Sequence, residues 1–226
     1  MAMGRRRKLP DLKRKTAHRQ PKRRFILYCE GKNTEPAYFA AISRRCDSLL
    51  VRIERIAGAG VPLVLAEKAA LRAQELGLTG ETQGKIDSFE ENDEVWAVFD
   101  RDNHPNFEEA VKLCSKSKVG VARSNPCFEV WLILHLSDYD RPGNSKDAQK
   151  ALKEFMPNYD PDRRKLPDCD MLMDLIEAAE TRAKRQLKSR EEEGKPFGSP
   201  STTVFLLTSA IRQASRAGNH SAPRNR

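Results

Sequence analysis

Short apolar runs, each followed by a polar turn and then by a helix-like segment, recur along the first half of the chain. Continuous apolar runs of this length are typical of strands that are buried on both faces of a parallel sheet. The predicted strands cover residues 25–29, 49–56, 95–99 and 119–122. The segment at 49–56 alternates apolar and polar residues, so we expect it to be half exposed. The run at 95–99 is the most apolar, so we expect it at the centre of the sheet.

The segments between and after these strands carry apolar residues at helical spacing, and three of the helices start at or beside a proline that follows a strand. The predicted helices cover residues 34–45, 62–76, 105–115, 127–136, 145–155, 170–188 and 201–213. The helix at 127–136 is almost wholly apolar, so we expect it to be buried. The alternation of strands and helices predicts an α/β fold. Its compact core would hold a mostly parallel four-stranded sheet flanked by helices, with further helices at the C-terminal end.

The positive charge is concentrated at the start of the chain. The whole sequence carries a formal net charge of +9, and residues 1–24 hold eleven Lys or Arg residues against the single acid Asp11. Such a segment has too few apolar residues to form a core, so we expect an arm that is disordered until it binds a polyanion. Nucleic-acid phosphate is the natural partner, held by counterion release. A solvated tail without a specific role is the alternative.

This charge distribution also sets the predicted domain organisation. We expect the basic arm at 1–24, one α/β domain at 25–213 and a polar, basic, disordered tail at 214–226. The residues that we assign to nucleic-acid binding are Lys32 and, in the arm, Arg5, Arg6, Arg7, Lys8, Lys13, Arg14, Lys15, Lys22, Arg23 and Arg24.

Several classes of protein do not fit the composition. No apolar run approaches the roughly 18 residues that span a bilayer, and the basic start is not followed by the apolar segment of a signal peptide. The five cysteines are odd in number and widely spaced, with no C-x-x-C pair. This spacing favours reduced, mostly buried thiols over disulfides or a structural zinc site. We therefore expect a soluble, cytoplasmic protein.

Two acidic motifs directly follow two of the predicted strands. Glu30 comes after the strand at 25–29, and the sequence Asp100-Arg-Asp102 comes after the strand at 95–99. In parallel α/β sheets the ligand crevice lies at the carboxyl ends of the strands. Carboxylate oxygens are the ligands that Mg²⁺ prefers, and such an ion neutralises the charge that phosphoryl transfer builds up. We predict that Glu30, Asp100 and Asp102 bind Mg²⁺ or Mn²⁺ and are catalytic. Glu30 either binds an ion or accepts a proton as a general base.

Four further residues each fit more than one interpretation. Glu129 lies in the first turn of the apolar helix, so it is either an acid that interacts with the helix dipole or a further metal ligand. Lys32 is either a phosphate contact or a solvated lysine, since the residues around it lack the pattern of a Walker A loop. His104 fits an acid–base group, a helix cap or a solvent-facing side chain. Glu35 fits a first-turn helix acid better than a ligand.

Four segments together resemble the successive motifs of the RloB-like family over roughly residues 20–210. They are FILYCEGKNTEPAYF (25–39), VWAVFDRDNH (95–104), ARSNPCFEVWLILHL (122–136) and PSTTVFLL (200–207). RloB-like proteins resemble the TOPRIM fold of topoisomerases, primases and OLD-family nucleases, which has a central parallel sheet and an acidic Mg²⁺ site. The resemblance implies that Glu30 matches the strand-one glutamate of that fold, and that Asp100 and Asp102 match its DxD aspartates.

The resemblance also implies a biological context. Members are associated with bacterial restriction and abortive-infection loci, often beside an AAA-type ATPase. The sequence has no ATPase motif of its own, so such a partner would supply that function. In TOPRIM proteins the DxD motif often continues to a glycine. Here Asn106 stands at that position, so we expect the backbone near the ion to differ.

Two function classes compete. The leading hypothesis is a Mg²⁺-dependent nuclease that hydrolyses phosphodiester bonds of DNA or RNA in a bacterial anti-phage system. The alternative is a non-catalytic nucleic-acid-binding or regulatory subunit that works with the AAA-type ATPase. Metal-dependent cleavage distinguishes them. A topoisomerase-like reaction through a covalent tyrosine fits poorly, because no second domain is predicted that would present the tyrosine. The pattern leaves open the oligomeric state, and whether residues 137–168 form a lid or a partner surface.

Overall fold

The computed structural model describes residues 23–46, 51–79, 93–101, 104–160, 162 and 166–217. Its five strands are β1 Arg23–Cys29, β2 Val51–Ile56, β3 Glu94–Asp100, β4 Gly120–Asn125 and β5 Ser201–Thr202. They form one sheet in the order β2-β1-β3-β4-β5. Strands β1 to β4 are parallel, and β5 runs antiparallel to β4. The predicted α/β class, the mostly parallel sheet and the central position of the third strand are confirmed.

The predicted number of four strands is too low by one. Strand β5 has only two residues, which is too short to produce an alternating pattern in the sequence. It exists because Ser201 and Thr202 pair with the end of β4. The last helix consequently begins at Val204 rather than at residue 201.

The helices lie close to their predicted positions. They are α1 Thr34–Arg45, α2 Pro62–Glu75, α3 Phe107–Lys116, α4 Glu129–Leu136, α5 Ser145–Phe155, α6 Ile176–Glu192 and α7 Val204–Ala217. A 3₁₀-helix, Asp170–Leu175, precedes α6, so the helix predicted to begin at residue 170 starts with tighter turns. Such turns are common at the N-termini of α-helices. No described helix is long and apolar enough to cross a membrane.

The sheet lies between two layers of helices. Successive side chains of a strand point to opposite faces, so Phe25 and Leu27 pack in the larger of two apolar clusters and Ile26 packs in the smaller one. The larger cluster includes buried residues of α1, α4, α5, α6 and α7, and the smaller one includes those of α2 and α3. Both faces of β1 are therefore covered, which explains its continuous apolar sequence.

Helix α4 is buried, as its apolar sequence predicts. Two side chains make polar contacts near its C-terminal end. Arg182 Nη1 donates hydrogen bonds to the carbonyl oxygens of Leu134 and His135, at 2.7 and 2.8 Å. The imidazole Nδ1 of His135 lies 2.9 Å from the Trp131 carbonyl, and its Nε2 lies 3.0 Å from the Tyr38 hydroxyl. Because a carbonyl only accepts hydrogen bonds, Nδ1 carries the proton and Nε2 accepts from Tyr38.

Candidate active site

The structure brings Glu30 and Asp100 together. Strands β1 and β3 are parallel neighbours, with Cys29 opposite Val98. The backbone N–H of Glu30 donates to the Val98 carbonyl at 3.0 Å, which extends the pairing by one residue. The backbone N–H of Asp100 donates in turn to Glu30 Oε2, also at 3.0 Å. The two acidic motifs therefore meet at the carboxyl ends of adjacent strands, where a ligand crevice is expected.

The third predicted ligand, Asp102, lies outside the described residues. Within the part of the chain that the structure describes, no three His, Cys, Asp or Glu side chains are arranged to hold a metal ion. The described part of the predicted site is thus the pair Glu30 and Asp100.

His104 is the second polar group beside Glu30. Its Nε2 lies 3.1 Å from Glu30 Oε1, and both side chains remain partly exposed, at 30% and 22%. The two oxygens of the Glu30 carboxylate therefore have different neighbours, the Asp100 amide on one and the His104 imidazole on the other. This contact places His104 at the candidate site rather than at a helix cap.

Glu35 also reaches this loop, although the sequence alone favours a plain helix acid. It lies in the first turn of α1, and its Oε1 accepts a 2.9 Å hydrogen bond from the backbone N–H of Gly31. The side chain is buried. Burial raises the pKa of Glu35 against the opposing effect of its backbone hydrogen bonds, and the nearby carboxylates of Glu129 and Glu30 raise it further. Glu35 is therefore part of the acidic site and favours the protonated form more than an exposed glutamate does.

The approach of Glu35 explains why a glycine follows Glu30. A Cβ atom on Gly31 would lie 2.1 Å from Glu35 Oε2, far inside any contact distance. The sequence signal for this arrangement is the pair of glutamates that flanks the polar turn, Glu30 and Glu35.

The turn after β2 supports the same loop from the other side. The N–H of Gly58 donates to the Gly31 carbonyl at 3.0 Å, and the N–H of Ala59 donates to the Cys29 carbonyl at 2.9 Å. Gly58 has a φ of +60°, a left-handed conformation that favours glycine. A Cβ atom there would lie 2.8 Å from Cγ of Lys32. The aliphatic stem of Lys32 thus packs on this turn while the residue as a whole is exposed.

Glu129 occupies the first position of α4 and is buried. A buried carboxylate needs a hydrogen-bond partner, and the hydroxyl of Tyr159 donates to Glu129 Oε1. Burial raises the pKa of the neighbouring Cys127 thiol, and the carboxylates of Glu129 and Asp100 raise it further. Glu129 therefore lies near the acidic site, and its partner is a tyrosine that follows thirty residues later, which local sequence does not reveal.

A cleft of about 790 Å³ lies beside the acidic site of Glu30 and Asp100, at the carboxyl ends of β3 and β4. The described residues that line it are Arg101, His104, Asn125, Pro126, Gly143, Asn144, Ser145 and Lys146. None of them is acidic. Part of the segment 137–168 thus forms one wall of a cleft next to the predicted site. The local sequence had left the role of this segment open.

Phe197 organises the other wall of the cleft. Its carbonyl oxygen accepts hydrogen bonds from Arg101 Nη1 at 2.9 Å and from Asn125 Nδ2 at 2.5 Å. Its ring lies under the guanidinium of Arg123, 3.1 Å from the ring centroid. Burial lowers the pKa of Arg123 to about 10; the Glu108 carboxylate opposes this shift and the Arg101 guanidinium adds to it. Arg123 therefore stays charged at neutral pH.

The two arginines at the end of the predicted arm are part of the sheet. Strand β1 begins at Arg23, two residues before the predicted start. Arg23 forms an ion pair with Glu94, and Arg24 forms one with Asp93. These pairs lie where β3 begins, at the end of the sheet opposite Glu30. The other arm residues assigned to nucleic-acid binding lie outside the described residues.

The chain was compared with models of protein families, with curated proteins and with solved structures. The family model described as RloB-like protein matches residues 25–211. No curated protein and no solved structure matches the chain.

Proposed function

Because the chain belongs to the RloB-like family, we propose that it is a metal-dependent nuclease that hydrolyses phosphodiester bonds of DNA or RNA in a bacterial anti-phage or abortive-infection system. The observation that carries the proposal is the contact between Glu30 and Asp100 at the carboxyl ends of adjacent parallel strands. This pair lies beside a cleft whose described lining is polar and cationic. An acidic site next to a cationic cleft suits a reaction on a phosphate ester.

The donor atoms of the site suit Mg²⁺ or Mn²⁺. Glu30 and Asp100 offer hard oxygen donors, and Asp102 would add a third carboxylate two residues further on. The contacts of Glu30 Oε1 and Oε2 with His104 and Asp100 take up part of a carboxylate that has about four lone-pair positions. Mg²⁺ retains several of its waters, so it needs only one or two protein carboxylates. A bound ion would supply charge neutralisation at the phosphate and would lower the pKa of a bound water.

The protein's own residues have separable roles in this proposal. Glu30 is held by the Asp100 amide in one orientation, so its charge is directed into the site without the cost of ordering a mobile side chain. His104 lies between Glu30 and the cleft. An imidazole in contact with a carboxylate is suited to general acid catalysis, so His104 would give a proton to the leaving oxygen, with Glu30 orienting its ring.

Two parts of the proposal concern other molecules. The basic arm would bind the nucleic-acid backbone, and an AAA-type ATPase would be the partner that supplies nucleotide hydrolysis. The absence of an ATPase motif from the sequence is consistent with that division.

The test is cleavage of plasmid DNA and of total tRNA by the purified protein in Mg²⁺, Mn²⁺ or EDTA. The same reactions are run with Glu30→Gln, with the double variant Asp100→Asn, Asp102→Asn, and with the surface control Glu75→Gln. The exposed side chain of Glu75 pairs with Arg72 on α2. We expect cleavage that requires metal, is lost in both site variants and is kept in the control. If the wild type is silent, the reactions are repeated with the neighbouring ATPase. Silence there, or cleavage that survives in the site variants, would favour the binding-subunit alternative.

A further inference from the structure

The cleft beside Glu30 carries groups that the acidic motifs do not explain. Two of its lining residues are cations, Arg101 and Lys146, and they stand on separate elements, one directly after β3 and the other in the first turn of α5. No acid is among the described lining residues, and the acid that contacts Arg101 is Glu108 on α3, 3.9 Å away. Two cations that converge on one concave surface are an arrangement suited to an anionic ligand.

Arg101 is held in place but keeps most of its donors. The Phe197 carbonyl accepts from Nη1, which uses one of the five guanidinium N–H groups. The nearest carboxylate oxygen of Glu108 lies 3.9 Å from Nη2, beyond hydrogen-bonding distance, and the side chain remains 40% exposed. A guanidinium that is fixed at one edge and open at the other is suited to two hydrogen bonds with a phosphate.

The two asparagines of the cleft are also oriented by their neighbours. Asn144 caps α5, with its Oδ1 accepting from the backbone N–H groups of Lys146 and Asp147. Its remaining polar atom is the amide nitrogen, which is a donor. Asn125 is the reverse case, because its Nδ2 donates to Phe197. Asn144 would therefore donate to an anion, and Asn125 would accept from a hydroxyl or a base.

A single segment links both walls of the cleft. The Phe197 carbonyl binds Arg101 and Asn125 on one side, and Ser199 Oγ donates to the Gly143 carbonyl on the other, at 3.2 Å. These hydrogen bonds connect the two walls, so the loops that form the cleft need little further ordering when a ligand binds. Preorganisation of this kind increases affinity.

We propose that this cleft binds the phosphate backbone of single-stranded nucleic acid next to the bond that is cut, with Arg101 and Lys146 contacting separate phosphates. The inference rests on the proposed nuclease function and names its substrate class. A cleft of about 790 Å³ lies in the range of small-ligand sites, about 300–1,000 Å³. This volume is enough for a short stretch of one nucleic-acid strand. His104 lines the cleft and contacts Glu30, so it lies between the bound nucleic-acid strand and the acidic site.

The first experiment measures binding without cleavage. Full-length protein carrying Glu30→Gln is titrated in EDTA into a fluorescent single-stranded ten-nucleotide oligonucleotide at several salt concentrations. Arg101→Gln and Lys146→Gln are each introduced into this Glu30→Gln protein. Lys112→Gln, on the exposed face of α3, is introduced in the same way as the matched control. Every protein keeps the basic arm, so the arm contributes equally throughout. We expect each cleft variant to bind roughly tenfold more weakly. The logarithmic salt slope should shrink by about 0.7 for each lost contact, with no change in the control.

Two outcomes of this titration bear on the proposal directly. Arg101→Lys should restore the salt slope, since it keeps the charge, but only part of the affinity, since it loses the planar fork. Cleft variants that bind as tightly as Lys112→Gln, with the same salt slope, would overturn the proposal.

A second experiment measures how accessible one lysine of the cleft is, without any substitution in the cleft. Reductive methylation of lysines, followed by mass spectrometry, compares Lys146 with Lys112 in the presence of a single strand, a duplex of equal length or a nucleoside triphosphate. We expect the single strand to protect Lys146 by at least severalfold and to leave Lys112 unchanged. Equal protection by the duplex would overturn the choice of a single strand. Protection by the triphosphate alone would assign the cleft to a free nucleotide.

The failure of this inference is distinguishable from the failure of the nuclease proposal. If the single strand protects Lys146 from methylation but the protein never cleaves nucleic acid, the cleft assignment is supported and the hydrolytic function is removed. Cleavage that Arg101→Gln and Lys146→Gln leave at the wild-type rate would keep the nuclease and remove the cleft as its substrate site.

Discussion

The backbone N–H of Asp100 donates a 3.0 Å hydrogen bond to Oε2 of Glu30, although the two residues are 70 positions apart. A hydrogen bond to an ionised carboxylate is roughly twice as strong as one between neutral groups. It fixes the orientation of Glu30 and leaves Oε1 beside His104. The two acidic motifs therefore act as one structural unit at the carboxyl ends of β1 and β3.

This relationship predicts the effect of removing the charge of Glu30 while keeping its shape. In Glu30→Gln the side-chain oxygen can still accept from the Asp100 amide, so the free energy of unfolding should change by no more than about 1 kcal/mol. The cleavage rate should fall roughly 10²–10⁴-fold, because the site loses a carboxylate. Single-turnover cleavage in Mg²⁺ and urea unfolding measure the two quantities, with Glu75→Gln as the control. A variant that cuts as fast as the wild type would remove Glu30 from the chemistry.

A methyl group on Gly31 should lower stability and activity by displacing the carboxylate of Glu35. The added Cβ would lie 2.1 Å from Glu35 Oε2, so the buried carboxylate has to leave its position and give up its hydrogen bond from the Gly31 amide. We expect Gly31→Ala to lose about 1–3 kcal/mol of unfolding free energy and at least tenfold in cleavage rate. Glu35→Gln, which keeps an acceptor for Gly31 at nearly the same size, should cost less stability. Equal stability of Gly31→Ala and the wild type would contradict this account.

Tyr159→Phe tests the pairing of the buried Glu129. The hydroxyl of Tyr159 donates to Glu129 Oε1, and its removal leaves a buried carboxylate with one partner fewer. The unfolding free energy should fall by about 1–3 kcal/mol. Tyr139→Phe is the matched control, because the hydrogen bond that the structure shows at Tyr139 is accepted by its backbone carbonyl, from Gln186 Nε2, and does not involve the hydroxyl. Chemical denaturation of the three proteins gives the comparison, and equal losses in both variants would contradict the specific role of Tyr159.

The buried imidazole of His135 predicts how stability depends on pH. Burial lowers the pKa of His135 from its ordinary 6.5 to about 4 in the folded protein. Between these values the unfolded chain binds the proton and the folded chain does not, so stability is complete above about pH 6.5 and is lost as the pH falls toward 4. The contribution of this residue between pH 7 and pH 5 is about 2 kcal/mol.

Urea unfolding at pH 7 and pH 5 measures this dependence for the wild type and for His135→Gln. The variant is expected to be less stable at both values, since it loses the packing between Tyr38 and Trp131. The informative quantity is the difference between the two pH values, which should be smaller in the variant by about 2 kcal/mol. Identical pH dependence in both proteins would show that folding does not shift the pKa of His135.

Local sequence predicted the framework of this protein well. The apolar runs identified β1 to β4, and the spacing of apolar residues gave α1 and α5 the bounds that the structure shows. These features depend on residues within one or two turns of each other, so a linear pattern contains them. The position of Glu30 and Asp100 at neighbouring strand ends follows from the same reasoning, because parallel strands end at one edge of the sheet.

The remaining features depend on contacts between distant parts of the chain. The pairing of β5 with β4, the hydroxyl of Tyr159 on Glu129 and the cleft wall at 143–146 join residues that no local pattern connects. They were decided by how the helices pack on the sheet. The sequence by itself therefore determined the elements and the edge at which the acids gather, because periodicity and strand direction are local properties. Only the tertiary structure decided which side chains surround those acids, because that depends on packing between layers.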